Sequence, residues 1–118
     1  MPQITVDYSA DLADDFDRPG FAKALHEATV EIAAAKPPAC KTRFRPTEDI
    51  VVGPEAEGHS HVHVHLALLA GRTEETKARL TEAALELLRT YLKPAAGIVL
   101  HASAEVRDLD PSYRKFEG

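Results

Sequence analysis

The chain has 118 residues, one cysteine and a formal charge of −5 at neutral pH. That length suits a single domain, residues 1–118, whose core hides roughly two-thirds of the unfolded surface. Scattered Lys and Arg argue against nucleic acid as a partner, and no apolar run reaches the ~18 residues of a membrane span.

Residues 2–7, Pro-Gln-Ile-Thr-Val-Asp after Met1, have no basic region followed by an apolar stretch, so they do not read as a signal peptide. Residues 4–9 are short, β-branched and alternating, the pattern of a strand. Residues 10–18 are acidic and polar and read as a loop. The spacing of Phe21, Leu25, Ala28 and Ile32 predicts a helix over 19–36, with Pro19 in the first turn and Pro37-Pro38 ending it. A second strand is expected at 40–44. It begins at the lone Cys40, which excludes an internal disulfide, fits a reducing cytoplasm and reads as a small buried residue. Pro46, Gly53, Pro54 and Gly58 then mark a loop over 45–58. Residues 59–69 alternate strongly, a third strand closed by Gly71. Thr73 caps a helix over 74–92, with Glu74 and Glu75 in the first turn where the helix dipole favours them. Its apolar stripe is Leu80, Ala84, Leu87, Leu88 and Tyr91. Pro94 to Gly97 interrupt the chain before a last strand at 98–106. The tail 108–118 is polar, with Tyr113 and Phe116 as anchors.

The order is strand, helix, strand, twice: about 2–45 and about 59–107. Strands joined through a helix run parallel with right-handed crossovers. The expected class is α+β, two layers, a four-stranded mixed sheet with both helices on one face. Val62, Val64, Leu66 and Leu68, with Ile98, Leu100, Ala102 and Ala104, should face the helices. The opposite face then carries His61, His63, His65, Ala67 and Leu69 beside Val99, His101, Ser103 and Glu105. A solvated face is normally richer in Lys and Glu, so this one fits another subunit and predicts a homo-oligomer.

With Met1 followed by Pro2 and then Ile4-Thr5-Val6-Asp7-Tyr8-Ser9, the chain resembles the 5-carboxymethyl-2-hydroxymuconate isomerases of the tautomerase superfamily, which also holds 4-oxalocrotonate tautomerase and macrophage migration inhibitory factor. The likeness continues through Arg18-Pro19-Gly20, Val62-His63, Gly71-Arg72-Thr73-Glu74-Glu75 and Leu109-Asp110-Pro111. It implies a homotrimer of double β-α-β subunits that needs no cofactor and no metal. Once Met1 is removed, Pro2 would be the general base, and arginines would bind the carboxylates of a small anionic substrate. By position Arg72 matches a substrate-binding arginine. In Cys40-Lys41-Thr42-Arg43 the family tends to show arginine at both polar positions. Here Lys41 supplies charge without the planar bidentate fork, while Arg43 keeps it.

Such residues suit proton transfer between carbons of an unsaturated 2-hydroxy or 2-oxo acid, and the resemblance implies a setting in aromatic-acid degradation. A base effective near neutrality is needed, with cations to hold carboxylates and offset a developing dienolate. An α-amino group ordinarily titrates at about 7.7–8.0, and an apolar pocket with nearby cations lowers that value. By alternation Pro2 points with Ile4 and Val6 towards the helices. While Met1 stays attached, however, the Pro2 nitrogen is an amide and cannot serve. Arg72, before a helix N-terminus, opposes the dipole and should gain no local stability there, which favours a binding role. A rival reading is a non-catalytic module binding metal: His59, His61, His63 and His65 would line one strand face at about 6.6 Å intervals, with His101 as a third ligand.

Overall fold

The computed structural model describes residues 2–118, and its elements follow the two periodicities of the sequence. Where apolar residues alternate, the chain is extended. β1 (Gln3–Ser9) buries Ile4, Val6 and Tyr8, and β3 (His59–Leu68) buries Val62, Val64, Leu66 and Leu68. Where they recur at helical spacing, α1 (Arg18–Ala33) buries Phe21, Leu25 and Thr29, and α2 (Glu74–Tyr91) buries Leu80, Ala84 and Leu88. Thr73 caps α2 by accepting from the Thr76 amide at 3.1 Å. β2 (Lys41–Thr47) and β4 (Val99–Asp108) complete a sheet of order β2-β1-β3-β4.

Each half of the chain is a parallel β-α-β unit, and the halves meet where β1 runs antiparallel to β3. Ile4 lies opposite Leu66 and Val6 opposite Val64, so the buried residues of both strands share one face. Both helices pack on that face, which gives the predicted α+β architecture of a mixed four-stranded sheet with two main helices. Among the described residues, no helix is long and apolar enough to cross a membrane.

Several boundaries differ from the sequence reading. Residues 10–18 are not a plain loop, because Ala10–Asp15 form a 3₁₀ turn that drives Leu12 into the core, with Phe16 buried just after it. The same segment clasps the end of α2: the Asp17 amide donates to the Tyr91 carbonyl at 2.9 Å and the Lys93 amide to the Asp15 carbonyl at 3.1 Å. Two apolar residues among four aspartates are too sparse for a periodic signal. β2 extends through Pro46 to Thr47. An edge strand tolerates this proline because half its N–H groups face away from the sheet in any case. On β4, Leu100 and Ala104 pack against the core as expected, whereas Ala102 stays exposed at the outer edge. Tyr113 is half-buried, but Phe116 is 91% exposed and anchors nothing within this chain.

α1 is pinned to β2 by a polar contact, His26 Nε2 to Thr42 Oγ1 at 2.7 Å. Burial holds the His26 imidazole below its ordinary value. The unfolded chain therefore takes up a proton that the folded chain resists, and stability falls as pH drops below about 6.5 towards the lowered folded value. Between about pH 7.5 and about pH 5.5, His26→Gln is expected to lose less melting temperature than the parent chain. Parallel losses would show that His26 does not carry this acid sensitivity.

Candidate active site

The predicted base sits at the head of β1. Pro2 is buried, and its carbonyl accepts from the Lys41 amide at 3.2 Å. Side chains alternate along a strand, so Pro2 shares the helix-facing side with Ile4 and Val6. Met1, and with it the question of its removal, lies outside the described residues. Next to Lys41, Cys40 is buried, and that burial pushes its thiol up, which keeps it protonated and unreactive.

Because β1 and β3 are antiparallel, the start of β1 lies at the end of β3, where the chain turns into α2. Arg72 stands in that turn. Its Nε and Nη2 donate to the Ala33 carbonyl at 3.0 and 2.8 Å, and its Nη1 to the Leu69 carbonyl at 3.0 Å. The expectation that Arg72 gains no local stability is thus corrected. Its cation reaches away from the start of α2 to the end of α1, whose dipole it complements. This also accounts for α1 stopping at Ala33: Ala34 turns left-handed at φ 57°, and the freed carbonyl is capped by Arg72. Three of the five guanidinium N–H groups are so engaged, leaving two for a ligand. Arg72 lines a cleft of about 450 Å³ between the end of α1 and the start of α2, with Ile32, Ala70, Gly71 and Thr76; Pro2 is not on its wall.

Lys41 and Arg43 are exposed on β2, and register places them on the sheet face opposite to Pro2's side: Gln3 pairs with Lys41 and Thr5 with Arg43. The Lys41 ammonium lies 3.4 Å from the Ala39 carbonyl. Two residues beyond Arg43, Arg45 makes a forked pair with Asp7 at 2.7 and 3.1 Å; its hydrogen bonds hold the Asp7 carboxyl below the usual range. Within one chain, then, Pro2, Lys41 and Arg72 gather at one end of the sheet, but Lys41 and Arg43 do not share the helix side with Pro2.

The same open face carries the strand histidines. His59 Nδ1 is 2.9 Å from His101 Nε2, and His59 Nε2 is 3.0 Å from Glu55 Oε1. His63 bonds Ser103 Oγ at 2.7 Å and stacks on His61 with centroids 6.5 Å apart. These imidazoles are engaged with neighbours, and among the described residues no three His, Cys, Asp or Glu side chains converge to hold a metal.

A family model described as 5-carboxymethyl-2-hydroxymuconate isomerase matches residues 2–116. The chain belongs to that family. It is therefore an isomerase by family, and its strand-leading Pro2 falls inside the matched span. Solved structures agree in fold. A 5-carboxymethyl-2-hydroxymuconate delta-isomerase superposes with a TM-score of 0.83 at 16% identity, covering 100% of this chain and 89% of that one. The 5-carboxymethyl-2-hydroxymuconate isomerase of Deinococcus radiodurans R1 gives 0.78 at 21% identity over 98% and 90%. A fused 4-OT wild-type symmetric trimer gives 0.76 at 20% identity over 98% and 93%. A sequence search of curated proteins returned no match.

For this isomerase, the sequence does not announce what these side chains touch. The Ala33 carbonyl that receives Arg72 lies 39 residues away, and Gln3, which binds Tyr113, lies 110 residues away. No short-range pattern signals either contact.

Proposed function

We propose that this isomerase moves a proton between carbons of an unsaturated 2-hydroxy or 2-oxo polycarboxylate such as 5-carboxymethyl-2-hydroxymuconate, with the Pro2 nitrogen as general base. The single observation that carries the reading is a family match over residues 2–116 in which Pro2 is buried at the head of a core strand. An unblocked Pro2 is a secondary amine, and its burial favours the neutral, proton-accepting form at neutral pH. The nitrogen takes a proton from one end of the conjugated system and returns it at the other, while negative charge builds on the enolate oxygen between the two events. The two spare N–H groups of Arg72 suit a substrate carboxylate. Arg43, for which no ion pair is seen among the described residues, and Lys41 offer further cations.

The reading includes a homotrimer, supported by the symmetric trimer among the structural neighbours and by the imidazole-rich open face. In such a particle the Lys41 and Arg43 of one copy meet the site of another, which reconciles their place on the far face with a role at Pro2. No cofactor enters the chemistry, and the setting is aromatic-acid breakdown in the cytoplasm, where a lone buried thiol stays reduced.

One experiment tests the whole. Protein whose intact mass shows the loss of Met1, and which scatters light as a trimer, should convert 2-hydroxymuconate and phenylenolpyruvate in an ultraviolet assay without added metal. No turnover by the processed trimer on either acid, or on 5-carboxymethyl-2-hydroxymuconate itself, would reject the reading.

A further inference from the structure

The chain after β4 is built, not loose. The Leu109 amide donates to the Leu68 carbonyl at 2.6 Å, tying the exit of β4 to the end of β3. Asp110 to Tyr113 then fold into a tight turn. The Ser112 amide donates to the Asp110 carboxylate at 2.8 Å and the Tyr113 amide to the Asp110 carbonyl at 2.9 Å. Pro111 presets the backbone at the turn's second position. The turn delivers Tyr113 to the head of β1, where Gln3 Nε2 donates to its hydroxyl at 3.2 Å. Tyr113 is half-buried, while Phe116 three residues on stays exposed, so the contact is specific to this turn and not a general collapse of the tail.

The placement matters because Gln3 directly follows Pro2. A terminal strand residue is the first to fray, and a proline gives the sheet no N–H with which to resist. The described backbone hold on Pro2 is its carbonyl, bonded to the Lys41 amide. Pro2 is also buried, and Gln3, which follows it, is paired with Lys41 and Ala67 in the sheet and has its side chain held by Tyr113.

We propose that Tyr113 is a positioning residue for Pro2, acting through Gln3: the Asp110–Tyr113 turn straps the head of β1 and aims the ring nitrogen. This rests on Pro2 being the base. Small displacements of a reacting group cost rate steeply, so the strap should be visible in turnover more than in substrate affinity.

The test uses the assembled, processed protein with Tyr113→Phe, Gln3→Ala and the double variant. Tyr113→Phe keeps the ring, so melting and assembly should hold within a few degrees and the same mass. Turnover is expected to fall roughly two- to tenfold, the kinetic equivalent of one neutral hydrogen bond, with KM unchanged. The double variant should lose no more than either single one, since both cut the same link. Two readouts do not depend on catalysis. Amide exchange at Gln3 and Ile4 should quicken, and the Pro2 nitrogen, followed by NMR of ¹⁵N-proline protein, should titrate at higher pH as it meets more water. Unchanged exchange and titration in Tyr113→Phe, or additive losses in the double variant, would overturn the proposal. If Pro2→Ala retained full turnover the base assignment would fall instead, and exchange and titration would still judge the strap.

Discussion

Replacing Pro2 by alanine is expected to lower kcat by roughly 10²–10⁴, the usual share of a general base. The processed Pro2→Ala protein would still present a terminal amine, so the loss comes from basicity and direction. A primary amine on a freely rotating residue replaces a ring whose position is set by β1 and by the Lys41 amide on its carbonyl. Retaining Met1 should be at least as severe, because an amide nitrogen has no basic lone pair. Pro2 is buried just ahead of the core cluster that starts at Ile4, so either change touches only the margin of the packed face. Melting temperature should therefore stay near that of the parent, which separates a lost base from a lost fold. Turnover within a factor of about two of the parent in either protein would remove Pro2 from the mechanism.

Arg72→Ala should act on stability and on activity together. Loss of the guanidinium strips two bonds from the Ala33 carbonyl and one from the Leu69 carbonyl, and uncaps the end of α1. Hydrogen bonds to a charged group contribute about 1.5–3 kcal/mol, so a destabilisation of about that size is expected in chemical denaturation. If the two remaining N–H groups also hold a substrate carboxylate, KM rises by roughly ten- to a hundredfold, measured well below the melting point. Arg72→Lys can restore one bond to a carbonyl but not the fork, so it should recover part of the stability and little of the affinity. A destabilised Arg72→Ala with unchanged KM would make Arg72 a clasp for α1 and nothing more. Arg43 and Lys41 would then carry the carboxylates alone.

Much of this fold was legible because its signals are local. Ile4, Val6 and the Val62 to Leu68 alternation mark strands by a period of two, and Leu80, Ala84 and Leu88 mark a helix by a longer one. Thr73 with Glu74 and Glu75 marks that helix's start, since capping and dipole effects act within one turn. The β-α-β order then leaves few topologies once crossovers are right-handed. Leu12 and Phe16 were hidden for the opposite reason: they are buried by a 3₁₀ turn that clasps the far end of α2, and no neighbour in sequence announces it.

By itself the sequence determined the class of fold and the histidine face on β3, which follow from residue type and spacing, while roles for Pro2 and Arg72 came from the family resemblance. Only the tertiary structure decided what those residues touch. It turned Arg72 from an unsupported charge into the cap of α1, set Lys41 and Arg43 across the sheet from Pro2, gave His59 and His63 partners in His101 and Ser103, and brought Tyr113 to Gln3. Each of these depends on strand register and on the distance-blind closure of the chain. Register is set when the whole apolar face is buried at once, and no window of sequence contains that event.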